Sequence, residues 1–156
     1  MGNCPCYLNL TTAITHTFPG DLDMTLTSPE GTVVTISTDN GGGSDDAFNG
    51  TIWDDSATTS AKVFVYTNGV PAPSLVVEGA MGAFIGENPN GTWSFDVFDD
   101  AGGDTGTLAS WGLDVTTCAG APLVALPVPG NNRLALFLLT LMLLFGAFWG
   151  LRTYHS

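Results

Sequence analysis

The chain is built largely from short runs of alternating apolar and polar residues, separated by turn-forming residues. The run LDMTLTS directs Leu22, Met24 and Leu26 to one side, which is the period-two pattern of a half-buried strand. Residues 29–31, Pro-Glu-Gly, join it to the run TVVTIST as expected for a hairpin. Similar runs are YLNLTTAITHTF, AKVFVYT, SLVVEG, GTWSFDVFDD and TLASWGLDVTT.

Before residue 133 no segment sustains a helical period, so the pattern predicts an all-β sandwich of the jelly-roll type. Trp53, Trp93 and Trp111 are predicted to be its large core or near-core side chains.

The distribution of charge divides the chain near residue 121. All 15 acidic residues precede that point, and Lys62 is the single basic residue among them. A surface this negative repels nucleic acid, whose phosphates need Lys and Arg partners, so no nucleic-acid partner is expected. It suits divalent cations, high-salt media, an extracellular setting or simple solubility, and composition leaves these alternatives open.

The C-terminal part of the chain has the composition of a membrane segment. Residues 134–151 contain 18 residues without a charge, which is long enough for a spanning helix. A Pro- and Gly-containing linker at 119–133 precedes it, and a short basic tail follows at 152–156. We therefore expect a transmembrane or sorting-signal helix, with the β domain outside the cytoplasm, either membrane-anchored or secreted.

Three cysteines, Cys4, Cys6 and Cys118, are too few and too irregularly spaced for a zinc site. Cys4 and Cys6 are too close along a strand to bridge each other comfortably. If the first and last strands run side by side, Cys118 can bridge either of them, and the sequence does not choose between the two.

The stretch HTFPGDLDMTLTS contains the residue types of a hydrolytic triad, but in an unsuitable order of elements. His16 lies in one run and Ser28 lies beyond a separate strand, and no nucleophile elbow is present. We interpret His16 and Asp21 as residues that fix the corner at Pro19 and Gly20. No catalytic residue is therefore predicted in this chain.

Calcium is the one cofactor that the acidic loops suggest. The loop DDAGGDTG supplies Asp99, Asp100 and Asp104, and Asp54 or Asp96 would be a further ligand. The alternative is that these carboxylates form Asx-turns and solvate the loops.

The segments ITHTFPGDLDMTLTSPEGT, FNGTIWDD and GENPNGTWSFDVFDDAGGDTGTLASWGLDVT together resemble the P domain, also called the Homo B domain. This module follows the catalytic domain in proprotein convertases of the kexin and furin kind and accompanies many bacterial subtilisin-like and metallo-type proteases. The resemblance implies an eight- or nine-stranded jelly-roll sandwich over residues 13–118, without a catalytic triad. It also implies that the chain stabilises or regulates a subtilisin-like serine protease, in the same polypeptide or as a separate partner.

The two ends of the chain carry further expectations from family resemblance. The block PVPGNNRLALFLLTLMLLFGAFWGLR is similar to bacterial sorting tails of the PEP-CTERM and IPTL-CTERM type. Members of the P-domain family usually begin with a further strand or two, so residues 1–12 are interpreted as a truncated strand or leader remnant. The missing strands favour a piece of a longer secreted protein, and a wrongly assigned start of the chain is the alternative that the sequence leaves open. The alternative function is a free-standing adhesion or carbohydrate-binding module, which an exposed, stacked aromatic pair would favour.

Overall fold

A computed structural model describes residues 3–119 of the chain, with side chains at 5–118, and these residues form two packed β-sheets. The strands are β1 (Asn3–His16), β2 (Leu22–Thr27), β3 (Val33–Thr38), β4 (Asn49–Trp53), β5 (Ser74–Leu75), β6 (Ser94–Asp99) and β7 (Gly106–Ala119). Short 3₁₀ turns lie at Pro19–Asp21 and Met81–Phe84. The predicted all-β, two-sheet architecture is confirmed for this part of the chain.

The strand order is β5-β4-β1-β7 in one sheet and β3-β2-β6 in the other. The first and last strands pair antiparallel over their whole length, from Asn3 opposite Ala119 to His16 opposite Gly106. In the other sheet β2 and β6, which are also far apart in the sequence, pair antiparallel. Strands β4 and β5 pair in parallel. The predicted boundary at residue 13 falls inside β1, so residues 3–12 belong to the central part of the sandwich.

Fewer strands form between residues 3 and 119 than the eight or nine that the resemblance implies, because the run AKVFVYT is not a strand. Only an isolated bridge between Thr67 and Val70 forms near its end. Phe64 packs against the core from this loop, and the alternation of the run reflects that packing. Val63 and Val65, on the other side, are 72% and 82% exposed.

The core lies between the central strands of the two sheets. Fully buried side chains include Leu10 of β1, Met24 of β2, Ile36 of β3 and Trp53 of β4. Trp53 donates a hydrogen bond from Nε1 to Oγ1 of Thr12 at 3.0 Å, which satisfies the one polar atom of the buried indole.

A β-bulge in β7 changes which of its side chains face the core. Ala13 lies opposite Ser110 and the next residue, Ile14, lies opposite Leu108, so Ala109 is the extra residue. The bulge shifts the alternation by one, and Leu108 and Trp111 both face the space between the sheets.

Cys6 and Cys118 form a disulfide with a Cα–Cα distance of 5.6 Å, linking the beginning of β1 to the end of β7. The register shift between Pro5 and Tyr7 places Cys6 at a bulge in β1. A bond that closes a loop of 112 residues stabilises the fold by about 4 kcal/mol, because it restricts the unfolded chain.

Within residues 3–119 there is no helix with the length and apolar character needed to cross a bilayer. The predicted helix at 134–151 lies outside the described residues, as do the tail at 152–156 and all but the first residue of the linker at 119–133.

Candidate functional site

His16 ends β1 and is buried at the corner that its sequence motif predicts, where it contacts the opposite sheet. Its Nδ1 atom accepts a hydrogen bond from the backbone N–H of Phe18 at 3.0 Å. Its Nε2 atom lies 3.3 Å from Oδ2 of Asp99, the last residue of β6. Because Nδ1 is an acceptor, the proton of the neutral imidazole lies on Nε2 and is donated to the carboxylate. The ring therefore joins the two sheets.

The backbone of His16 is held by Asp46, which comes from the loop before β4. The His16 amide donates to Oδ1 of Asp46 at 3.1 Å, and the Asp46 amide donates back to the His16 carbonyl at 3.0 Å. Asp46 has a positive φ of 59°, a conformation that aspartate adopts more readily than most residues. The sequence shows Asp46 only as one member of an acidic loop, so this role was not predicted.

Asp21 lies at the same corner, where its backbone amide and carbonyl make the hydrogen bonds that hold it. Its amide donates to the carbonyl of Phe18 at 3.0 Å, and its carbonyl accepts from the amide of Asp100 at 2.9 Å. Desolvation raises the pKa of the Asp21 carboxyl, and repulsion from Asp104, Asp99 and Asp100 raises the same pKa further, with His16 opposing. His16 and Asp21 therefore both lie at the predicted corner, where His16 bonds to the neighbouring backbone at Phe18 and its side-chain partner is Asp99.

Four carboxylates lie at the His16 end of the sandwich, namely those of Asp21, Asp99, Asp100 and Asp104. Two of them accept hydrogen bonds from protein side chains. Asp104 accepts a hydrogen bond from Oγ1 of Thr17 at 2.8 Å, while Asp99 faces His16. The Thr17 hydroxyl also accepts from the amide of Thr105 at 3.3 Å. These bonds attach the loop between β6 and β7 to the end of β1.

Asp54, the fourth predicted calcium ligand, lies at the opposite end of β1. It accepts a hydrogen bond from the Tyr7 hydroxyl at 2.8 Å and two from Ser56 at 2.7 Å. Burial acts to raise the pKa of Asp54, but the hydrogen bonds from Ser56 and Tyr7 outweigh it and lower the pKa. Tyr7 is separated from His16 by nine residues of extended strand, about 30 Å. The structure therefore does not bring Asp54 to Asp99.

Within residues 3–119, no three or more His, Cys, Asp or Glu side chains are grouped so as to hold a metal ion. The carboxylate of Asp96, the other suggested ligand, accepts a hydrogen bond from the Ser94 hydroxyl at 3.2 Å. Calcium binding by Asp99, Asp100 and Asp104 stays a prediction.

Ser28 is also remote from His16, because β2 separates the two residues. Its hydroxyl accepts a hydrogen bond from the Thr32 amide at 3.2 Å and closes the hairpin between β2 and β3. Gly31 of that hairpin has a φ of 90°, which explains the glycine at this position. The six residues of β2 correspond to about 20 Å, so His16 and Ser28 stabilise separate turns.

The predicted tryptophans occupy three parts of the sandwich. Trp53 is completely buried, whereas Trp93 and Trp111 are partly buried against the core. Trp93 packs edge-on against Phe84 with ring centroids 5.0 Å apart. Trp111 of β7 lies 5.7 Å from Phe95 of β6, which brings these two strands together across the sandwich.

A cleft of about 190 Å³ opens between the sheets beside the His16–Asp99 contact. Its lining residues are Ile14, His16, Leu22, Val97, Asp99, Gly106, Thr107 and Leu108. Gly106 is required here, because a Cβ at this position would lie 2.3 Å from the His16 ring and from the Thr15 carbonyl. The cleft is largely apolar, and its polar end is formed by His16 and Asp99.

Comparisons with known proteins relate the sequence of this sandwich to a family. The family model described as the proprotein convertase P-domain matches residues 7–115. A transglutaminase-activating metalloprotease of Streptomyces mobaraensis is 30% identical over 112 residues. That alignment covers 72% of this chain and 11% of the relative. No solved structure matches the chain. Since the family match extends over nearly the whole sandwich, the chain belongs to the proprotein convertase P-domain family.

Proposed function

We propose that the chain is a non-catalytic accessory domain that stabilises or regulates the catalytic domain of a protease. The observation that carries the proposal is the P-domain match over residues 7–115. The similar metalloprotease supports it, since that protein contains such a stretch within a much longer protease chain. The partner is proposed to be a subtilisin-like serine endopeptidase, in the same polypeptide or as a separate chain.

The proposed location is outside the cytoplasm. The disulfide between Cys6 and Cys118 supports it, because such bonds persist in oxidising compartments. The apolar segment at 134–151, which lies outside the described residues, is proposed as the membrane anchor or sorting signal.

Stabilisation of a partner would act by binding to its folded state alone. If the free concentration of the P domain is 100 times the dissociation constant of the complex, binding stabilises the folded catalytic domain by about 2.7 kcal/mol. The sandwich is suited to this role because its core is packed and its ends are fixed by the contacts of His16 and by the disulfide.

The carbohydrate-binding alternative receives no comparable support. The aromatic pairs within residues 5–118 consist of rings in the core or packed against it. An exposed stacked pair, the feature that would favour sugar binding, is not among them.

The proposal is tested by measuring the melting temperature and peptidase activity of a subtilisin-like catalytic domain with and without this chain. The catalytic domain should come from the same genome, and the matched control is an unrelated acidic β-sandwich at equal concentration. We expect the chain alone to raise the melting temperature or to change the activity. The same result with the control sandwich, or no change with either, would contradict the proposal.

A further inference from the structure

The core of the sandwich is unevenly covered between its two sides. Side chains of β2 and β4 such as Met24, Leu26 and Trp53 are completely buried. The inward side chains of β7, by contrast, are only partly buried, and Leu108 is 37% exposed. These half-covered residues are Trp111, Leu113 and Val115 of β7 and Val97 of β6. Apolar surface is therefore left in contact with solvent along one side of the sandwich.

That side is formed by two edge strands lying one above the other. β7 ends one sheet and β6 ends the other, and the contact of Phe95 with Trp111 joins them. The cleft beside His16 lies at one end of this side. Of the other two outer edges, that of β3 is covered and that of β5 is short. The amides of Glu78 and Gly79 donate to β3 carbonyls at 3.1 and 2.9 Å, and β5 is only two residues long.

Apart from the bulge at Ala109 and one charged residue, strand β7 lacks the features that normally protect a long edge. It runs for 14 residues without Lys, Arg or Pro, and Asp114 is its single charged residue. Among residues 3–119, the backbone hydrogen bonds outside the sheet ladders leave β7 untouched. An unpaired row of N–H and C=O groups of this length is a template for another strand.

The charge around this side defines which kind of strand would be attracted. Asp96 and Asp99 lie on β6 and Asp114 lies on β7, with two further carboxylates in the connecting loop. Lys62, the one Lys or Arg within residues 3–119, is ion-paired with Glu78 at 3.1 Å. A ligand for this side therefore has to bring its own positive charge.

We propose that the outer edge of β7 binds an extended polypeptide segment with alternating apolar residues and Lys or Arg at its ends. The segment adds to the sheet as a fifth strand through backbone hydrogen bonds. Its inward side chains cover Trp111 and Leu113 and reach the cleft below Leu108. Its basic residues face Asp114 and the carboxylates near Asp99. This inference does not depend on the proposed protease partner.

The direct test uses the full chain and three labelled peptides of equal length. The probe has about eight alternating Val and Thr residues with two Lys at each end, which matches part of the length of β7. One control peptide replaces the Lys residues by Glu, and the other replaces two central residues by Pro. We expect the Lys-ended peptide to bind about tenfold more tightly than either control by fluorescence anisotropy. Hydrogen exchange of the β7 amides should slow in its presence.

Two variants of the protein separate a defined edge from general attraction to an acidic surface. Asp114→Asn removes a carboxylate from the proposed edge, and we expect it to weaken binding severalfold. Asp39→Asn removes one from the end of β3 at the opposite side, and we expect no change. Asn is suitable there because Asp39 has a positive φ of 56°, which Asn also tolerates. Equal weakening by both variants would overturn the proposal.

Two further outcomes would also overturn it. The first is equal binding of the Lys-ended and Pro-containing peptides, since proline prevents strand addition. The second is failure of the Lys-ended peptide to bind. If the β7 amides are then already slow to exchange in the free protein, the edge is covered by this chain or by a second copy, and sedimentation at several concentrations distinguishes the two.

Discussion

The Nε2 atom of His16 lies 3.3 Å from Oδ2 of Asp99, and this contact joins the last residue of β1 to the last residue of β6. These strands belong to different sheets. A histidine that resembles part of a catalytic triad therefore holds the two layers of the sandwich together at one end.

Replacement of His16 by Ala should lower the free energy of unfolding by about 2–3 kcal/mol, because it leaves the Phe18 amide and the Asp99 carboxylate without their partner. Urea unfolding followed by tryptophan fluorescence measures the change. Asp96→Asn is the control, since Asp96 is exposed on β6, the strand of Asp99, and its carboxylate accepts a hydrogen bond from Ser94 of the same strand. A loss no larger than that of the control would contradict the assigned role.

Replacement of Asp21 by Asn should raise the melting temperature at pH 7 by a few degrees at most. Desolvation first, and the neighbouring carboxylates second, raise the folded-state pKa of Asp21 above its unfolded value. The folded protein therefore binds the proton more tightly, so stability contributed by this group is present at low pH and falls as pH rises through that pKa. Melting curves between pH 3 and pH 7 should show the benefit of Asp21→Asn growing with pH. A benefit that is independent of pH would exclude this cause.

The calcium prediction for Asp99, Asp100 and Asp104 makes a specific claim about thermal stability. If these carboxylates bind calcium, millimolar calcium should raise the melting temperature relative to EDTA, because the ion binds only the folded loop. Asp100→Asn should remove most of that increase, whereas Asp54→Asn, at the far end of β1, should preserve it. An unchanged melting temperature in calcium would refute the site and favour the Asx-turn alternative.

Replacement of Cys118 by Ser should cost about 2–5 kcal/mol of stability, because it removes the bond that closes the loop from Cys6. Chemical unfolding of the two proteins with and without a reducing agent measures the difference. Reduction should destabilise the unaltered protein by a similar amount and leave the Cys118→Ser variant unchanged. Sensitivity of the variant to the reductant would contradict this assignment.

Local sequence patterns predicted β1, β2, β3, β6 and β7, but they missed β4 and made β5 longer than its two residues. Leu22, Met24 and Leu26 face the core as their spacing indicates. The strand predicted for the run around Val63 and Val65 does not form. A loop that inserts aromatic rings into the core shows the same period-two alternation as a strand. Alternation reports which side chains are buried, and it does not report whether a backbone partner is present.

The partners of the key polar residues could not be predicted, because they are distant in sequence. The sequence placed His16 at the corner with Asp21, but its side-chain partner is Asp99, 83 residues away. Glu78 had no local signal. It accepts a hydrogen bond from the Thr38 amide at 2.8 Å and pairs with Lys62. Burial acts to raise the pKa of Glu78, but these donors outweigh it and lower the pKa. Such choices depend on the register of the sheets, which short sequence motifs do not determine.

The disulfide between Cys6 and Cys118 also has a mechanical consequence. Because the two Cα atoms are 5.6 Å apart, the chain enters and leaves the sandwich at almost the same point. Tension applied between segments before Cys6 and after Cys118 passes through the covalent bond, so it does not pull on the parts of the sheets that lie between these two residues. The folded domain therefore acts as an inextensible side-loop that remains intact while its polypeptide is stretched, until the bond is reduced.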